Sequence, residues 1–226
     1  MQVESKEFLV EKMSRIRLMC DAAFSERGAA PPIVLCYDKD GRERVLIAQF
    51  EGPLHREKVL MGMRMYFSAW QVRSYIFVSE AWVITRSAEQ LRERRVQPSQ
   101  ADDRREILMI LGVSSEGVLH HASEICRDES GKVWLDDSIM SEQQGLESMG
   151  GELTELLPPS NLGPVPENIF LKFEKMRELG IISLTVLDDG IGGEDTRPTV
   201  MGAAQPGTGD RLESFIREAT RAEMRH

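Results

Sequence analysis

The sequence predicts an α+β fold in which one mainly antiparallel or mixed sheet is covered by helices. The first observation is a block of four apolar, strand-length runs within residues 74–138, whose last two turns are rich in Ser, Asp and Gly. The second is an earlier pair of runs on either side of the Asp-Gly turn at residues 40–41. The third is apolar periodicity of three and four residues in segments 5–26 and 55–72, which predicts two helices. The predicted order is α-β-β-α-β-β-β-β, followed by a C-terminal helical arm.

The first helix is predicted over residues 5–26. Ser5 can cap its amino end through the side-chain hydroxyl, and Gly28, followed by two prolines, ends it. One face of this helix carries the apolar stripe that should pack on the sheet: Leu9, Met13, Ile16, Cys20, Ala23 and Phe24.

A hairpin and a second helix follow. Residues 33–37 and 44–50 form the hairpin, which we expect to belong to the same sheet as the later strands. Residues 55–72 form the second helix, whose methionine-rich stripe fits either core packing or a peptide-binding surface. Core packing is favoured because an aromatic group lies on the same face of the helix.

Two strands of the main block, residues 74–85 and 104–114, are apolar on both faces. Such strands are covered on both sides, so we expect them to be central in the sheet. The connection at residues 86–103 is long for a hairpin and contains four arginines and four acidic residues. We interpret it as a solvated loop, with an arginine cluster that grips an anionic partner as the alternative.

The composition changes after residue 138. Residues 140–165 are rich in Gly and Pro and contain no aromatic residue, which predicts a linker or an extended arm. The domain organisation is therefore a core domain at 1–139, this linker, and a C-terminal helix-strand-helix segment at 166–226. The elements of that segment are a helix at 166–179, a strand at 181–187, a mobile loop at 188–209 and a final helix from Asp210.

The mobile loop contains a motif with a known counterpart. The run Asp188-Asp189-Gly190-Ile191-Gly192-Gly193 resembles the adenine-contacting box of histidine-kinase and gyrase-type ATPases, and this resemblance would imply ATP binding. The preceding helix carries Glu167 and Asn168, but not in the arrangement that this family uses. We therefore interpret the run as a flexible acidic turn, and no cofactor is predicted.

Charge and composition limit the classes of partner. The chain has 226 residues and a formal net charge of -9, which disfavours nucleic acid because phosphate binding needs a basic face. No apolar run approaches the roughly 20 residues that span a bilayer, and the amino terminus lacks a signal-peptide pattern. The three cysteines lie far apart within apolar patterns, which favours buried free thiols. Together these features predict a cytoplasmic protein that binds neither membrane nor nucleic acid.

The candidate catalytic residues are Glu80, His120 and Glu124. Glu80 places a carboxylate on an otherwise apolar strand face, where it needs a partner or a proton. His120 and Glu124 share one face of the more polar strand at residues 117–127, and with Asp136 they are the candidate metal ligands. The alternatives are a structural ion pair for Glu80 and a solvated polar face for the others.

We interpret Glu80 as a structural residue that is at least half buried. Its expected partner is a cation, Arg104 or Arg105, which would hold the carboxyl group ionised. Ser123 has no evident base partner in the sequence. The chain contains no P-loop, no G-x-S-x-G and no C-x-x-C motif.

The central block also resembles known sequences. The run Val78-Ser79-Glu80-Ala81-Trp82, followed by Pro98-Ser99 and Asp103-Arg104-Arg105-Glu106, is similar to hypothetical proteins of bacteria and their phages. The similarity spans roughly residues 75–115 and includes no catalytic motif. It implies a phage- or prophage-encoded accessory protein rather than a particular activity.

Two hypotheses of different class follow. The leading one is a non-enzymatic interaction or accessory protein that binds a protein partner or itself, as an oligomer, through its C-terminal helices. The alternative is a small hydrolase or metal-dependent enzyme that uses Glu80 together with His120 and Glu124. Convergence of these three side chains in one cleft would favour the alternative.

Overall fold

The computed structural model describes residues 2–83, 102, 104–137, 152–158 and 168–187. Its elements, in chain order, are α1 (Lys6–Arg27), β1 (Ile33–Asp38), β2 (Glu43–Ile47), α2 (Pro53–Ala69), β3 (Val72–Val83), β4 (Arg105–Ser114), β5 (Gly117–Arg127), β6 (Val133–Asp136), a 3-10 turn (Glu152–Thr154), α3 (Asn168–Glu178) and β7 (Thr185–Leu187). The predicted α+β class is confirmed. Within the described ranges, no helix combines the length and the apolar character needed to cross a membrane.

The sheet has seven strands in the order β6-β5-β4-β3-β1-β2-β7, and every neighbouring pair is antiparallel. The pairing of β3 with β4 runs from Ser74 opposite Ser114 to Val83 opposite Arg105. Both strands have a neighbour on each side, which confirms their predicted central position. The hairpin of β1 and β2 joins this sheet through the pairing of β1 with β3, also as predicted.

Helices cover the two faces of the sheet separately, because successive side chains of a strand point to opposite sides. We call these the α1 face and the α2–α3 face. The core of the α1 face includes Leu9, Ile16, Phe24, Ile76, Val78 and Leu108. The core of the α2–α3 face includes Leu60, Phe67, Tyr75, Phe77, Leu111 and Phe173.

The ends of α1 are fixed by local hydrogen bonds. The Ser5 hydroxyl accepts from the backbone N–H of Phe8 at 3.2 Å, and Gly28, at φ 71°, donates to the Phe24 carbonyl at 2.9 Å. These are the predicted caps. The helix also lies very close to β4, because a Cβ atom at Gly112 would come within 2.6 Å of the Met13 sulfur.

The second helix differs from its predicted range of 55–72. It begins at Pro53, because proline fits the first turn, where its missing N–H has no helical partner. It ends at Ala69, and Gln71 adopts φ 51° in the turn that leads into β3. A left-handed residue cannot continue a right-handed helix, so the chain leaves the helix before this point.

The C-terminal elements belong to the same sheet and core as the earlier ones. α3 packs on α2, and β7 pairs with β2, with Leu187 opposite Val45 and Val186 opposite Leu46. The described part of the predicted C-terminal segment, residues 168–187, is thus built into the same sheet and core as the predicted core domain. The predicted mobile loop and final helix lie outside the described residues. So do all of the arginine-rich connection except residue 102 and most of the predicted linker.

The cysteines are free thiols. Cys20 and Cys36 are buried, which confirms the prediction for these two, and Cys126 is partly exposed. Burial raises the pKa of Cys20 to about 12. A thiol with such a high pKa carries almost no thiolate at neutral pH and is therefore inert as a nucleophile.

Candidate functional site

The structure places Glu80 on the opposite face of the sheet from His120 and Glu124. Glu80 lies opposite Leu108, which belongs to the core of the α1 face. His120 lies opposite Leu111, which belongs to the core of the α2–α3 face. Directly opposed residues in adjacent strands share a face, so the sheet separates Glu80 from the other two candidates.

The candidate metal ligands are also spread out. Glu124 lies opposite Asp136 on β6, so these two carboxylates are neighbours on the α2–α3 face. His120 is four residues from Glu124 along β5, a distance of roughly 13 Å in an extended strand. Among the described residues, no three His, Cys, Asp or Glu side chains are grouped so that they could hold a metal ion.

Glu80 is partly buried, as predicted, but its main partner is the backbone. Its Oε1 atom accepts a hydrogen bond from the Ala30 N–H at 2.9 Å. Burial raises the pKa of the carboxyl group, and the bond from Ala30 only partly offsets this. The nearby Glu106 carboxylate raises the pKa further, whereas Arg127 lowers it. The net shift is therefore opposite to the one expected from a dominant cation.

The two expected cation partners of Glu80 make other contacts. Arg105 is opposite Val83, so its side chain lies on the α2–α3 face, where it forms an ion pair with Glu124 at 3.7 Å. Arg104 stacks over the Trp82 ring, with its guanidinium carbon 4.7 Å from the ring centroid. The pairing of Glu80 with Arg105 is thus excluded by the alternation of side chains along β4.

A polar cluster that sequence reasoning missed fastens α1 to the sheet. It consists of Arg17, Asp21, His121, Ser123 and Asp137, and we call it the polar clasp. Arg17 donates from Nη2 to Asp137 Oδ1 at 2.8 Å and from Nε to Ser123 Oγ at 2.9 Å. Its Nη1 atom forms an ion pair with Asp21 Oδ2 at 2.5 Å. Ser123 Oγ donates to Asp137 Oδ1 at 2.5 Å, and His121 Nε2 lies 3.0 Å from the same hydroxyl.

The electrostatics of the clasp favour an ionised Asp137. Burial alone would raise the pKa of this carboxyl group. Hydrogen bonds from Ser123 and Arg17, together with the charge of Arg17, outweigh burial and hold the pKa below its ordinary value. The clasp therefore joins α1, β5 and the end of β6 through a charged acceptor that several donors share.

The clasp contains serine, histidine and aspartate, but its geometry is not that of a catalytic triad. In a triad, the aspartate holds one ring nitrogen of the histidine and the serine contacts the other. Here His121 Nε2 faces both Ser123 Oγ at 3.0 Å and Asp137 Oδ1 at 3.3 Å. Ser123 is fully buried and its hydroxyl is held by three side chains. The Ser123 hydroxyl therefore helps to hold α1 on the sheet and is not accessible as a nucleophile.

The opposite face presents a different feature, an apolar outer surface on α2 and α3. Large apolar side chains are exposed there, including Leu54 at 78%, Leu171 at 73% and Leu179 at 64%. Lysines alternate with them at helical spacing on both helices. We define the α2–α3 surface by these residues: Leu54, Lys58, Met61, Leu171, Lys175, Leu179 and Ile181.

The two parts of the α2–α3 surface are connected. Lys58 Nζ donates to the Gly180 carbonyl at 2.9 Å, so the α2 part of the surface adjoins the turn after α3. Beneath it, the rings of Tyr66 of α2 and Trp70, the residue that caps the end of α2, are stacked with centroids 4.1 Å apart, and both contact Phe173 of α3. Phe173 is fully buried. The surface therefore rests on a packed aromatic layer.

Comparison with known proteins found no relative: no protein-family model, no curated protein and no solved structure matches the chain. The resemblance of residues 75–115 to bacterial and phage proteins stays a prediction. The geometry of the clasp and of the α2–α3 surface is thus the basis for a functional proposal.

Proposed function

We propose that this protein is a non-enzymatic accessory protein that binds another protein chain, or a second copy of itself, through the α2–α3 surface. The carrying observation is the concentration of exposed apolar side chains. Of the eleven large hydrophobic residues that are exposed in the described ranges, five belong to the α2–α3 surface, and Phe170 of α3 is a sixth on the same helices. Single exposed hydrophobic residues are ordinary, whereas a group on one surface is typical of an interaction site.

The support beneath this surface favours binding without large rearrangement. The rings of Trp70 and Phe170 lie 4.3 Å apart, and Arg44 of β2 stacks over Trp70 at 5.6 Å. A surface held by a packed layer loses little conformational entropy when a partner docks. The backbone that carries the surface therefore needs no large rearrangement when a partner docks.

The chemistry of the other face also favours a non-enzymatic role. The histidine, serine and aspartate of the clasp satisfy one another and the arginine of α1. The alternative, a small hydrolase or metal-dependent enzyme, would have to work with Glu80 separated from His120 and Glu124 by the sheet. A phage or prophage origin is part of the proposal and rests on the sequence resemblance alone.

The test compares two double variants of the full chain. Leu171→Glu with Leu179→Glu charges the proposed surface, and Val10→Glu with Leu18→Glu charges exposed apolar positions of α1 as the matched control. All proteins are used to capture partners from a lysate of the host, and their self-association is measured by sedimentation velocity. We expect specific capture of a partner, or self-association, to fall at least about tenfold in the α3 double variant. The α1 double variant should retain it.

Two readouts keep this test interpretable. Circular dichroism and thermal melting check that both double variants fold. We expect them to fold because all four positions are exposed. Equal capture and equal self-association by the wild type and the α3 pair would refute the proposed surface.

A further inference from the structure

We infer that the α2–α3 surface recognises an acidic amphipathic segment of a partner protein. This inference rests on the proposed function and names the chemistry of the partner. The reason is the charge of the two helices that form the surface. α2 carries Arg56, Lys58 and Arg64 against Glu57, which is an excess of two positive charges.

α3 adds to the same sign. It carries three cations against two acidic residues, so α2 and α3 together have an excess of three positive charges. The whole chain has a formal net charge of -9. The two helices are therefore basic within a strongly acidic protein, and two of their lysines, Lys58 and Lys175, lie among the exposed apolar side chains.

The cations are placed between the apolar residues rather than around them. Lys58 lies between Leu54 and Met61 on one side of α2, at spacings of four and three residues. Lys175 of α3 lies between Leu171 and Leu179, the residue directly after the helix, at spacings of four residues. An amphipathic helix of the partner could bury leucine-type side chains here and place carboxylates against both lysines.

The position of Lys58 is partly fixed. One of its three donors is used by the Gly180 carbonyl, which holds the ammonium group beside the turn after α3. The remaining donors are directed by this anchor and stay available because the side chain is exposed. A pre-positioned cation discriminates against basic partners more strongly than a freely moving one.

The same charges argue against a second copy as the occupant. Two chains that each carry a formal net charge of -9 repel one another. A short acidic segment carries fewer negative charges than the whole chain, so it experiences less of this repulsion and can direct its carboxylates to the basic surface. Complementarity of this local kind controls the choice of partner and the rate of association.

The test uses the full chain and three labelled synthetic peptides. The first has leucines at helical spacing with glutamates between them, the second has lysine in place of each glutamate, and the third is a scrambled version of the first. Binding is measured by fluorescence anisotropy at low and high salt. The variants are Lys58→Glu with Lys175→Glu and, as a matched control, Lys39→Glu with Lys132→Glu, which reverses two exposed lysines elsewhere.

We expect the acidic amphipathic peptide to bind most tightly and to weaken with salt. Its affinity should fall on the order of tenfold in the Lys58/Lys175 variant, and much less in the control, because close charge pairs across an interface are coupled. Equal binding of the basic peptide, or equal affinity in both variants, would overturn the inference.

Other occupants give different results. Binding to vesicles of phosphatidylserine and phosphatidylcholine without peptide binding would replace the acidic segment by an anionic lipid surface. Self-association that the Lys58/Lys175 variant abolishes would replace it by a second copy. If no peptide binds but the Leu171/Leu179 variant still loses its captured partner, the proposed function stands and only the acidic chemistry fails.

Discussion

The two faces of the sheet hold their helices by different means. On the α1 face, the helix is fixed over an apolar core by the polar clasp, in which one carboxylate is shared by an arginine and a serine. On the α2–α3 face, the helices are held by stacked and edge-on aromatic rings. Charged and hydrogen-bonded contacts are directional and depend on pH, whereas apolar packing depends on volume and shape.

This difference also separates structure from function. The clasp uses its polar groups internally, so little chemistry is left for a substrate. The aromatic layer buries only the inner sides of α2 and α3. Their outer sides keep exposed apolar residues that a partner can cover. Substitutions in the aromatic layer and in the clasp test how each helix is held, and the pH dependence of stability distinguishes Glu80 from Asp137 on the α1 face.

The largest effect is expected from Phe173→Ala. Phe173 is fully buried and contacts both Tyr66 and Trp70, so its removal leaves a cavity between α2 and α3. We expect a loss of about 3–5 kcal/mol in the free energy of unfolding, measured by urea denaturation. Leu171→Ala on the exposed side of the same helix is the control and should change stability by less than about 0.5 kcal/mol. A similar cost for both would mean that α3 is not held by the aromatic layer.

A smaller loss is expected from Arg17→Ala. The substitution removes the hydrogen bonds to Asp137 and Ser123 and the ion pair with Asp21, and it leaves the buried Ser123 hydroxyl with fewer partners. Because Asp137 is half exposed, water replaces part of the lost interaction, and we expect about 2–3 kcal/mol. Glu11→Ala, at an exposed position of the same helix, is the control. Equal stability of the Arg17 and Glu11 variants would show that the clasp does not hold α1.

Much of the fold was accessible from the sequence because local patterns determine it. The caps of α1 at Ser5 and Gly28 and the central position of β3 and β4 follow from residue types and alternation. The pairing of β7 with β2 could not be predicted, since a three-residue strand carries too little pattern to indicate its neighbour.

The sites depended on information that the sequence alone does not contain. The alternation along β5 places His121 and Ser123 on one face, so two of the five clasp residues could have been grouped from the sequence. Arg17 is more than a hundred residues away from Ser123, and only the topology brings them together. The separation of Glu80 from His120 likewise depends on the register between β3, β4 and β5, which no local motif encodes.

The smallest expected effect is the pH dependence of the stability that Asp137 and Glu80 each contribute. It distinguishes these two carboxylates most sharply because their contributions change with pH in opposite directions. The pKa of Asp137 is lowered in the folded state, so its contribution to stability is present above the ordinary aspartate pKa of 3.8 and is lost as pH falls through the folded value. The pKa of Glu80 is raised, so the folded state takes up its proton first and gains stability relative to the unfolded state as pH falls.

Two conservative variants test these opposite signs. In Glu80→Gln, the amide oxygen can still accept from the Ala30 N–H and no charge is buried, so at pH 7 we expect a change within about 1 kcal/mol of wild type. As pH falls, the free energy of unfolding of the wild type should rise relative to that of this variant. Asp137→Asn should be less stable than wild type at pH 7, and this deficit should shrink below about pH 4 because the wild-type carboxylate also becomes neutral. Urea denaturation of the three proteins across this range measures both slopes, and slopes of the same sign would contradict the assignment of burial to Glu80 and of the clasp to Asp137.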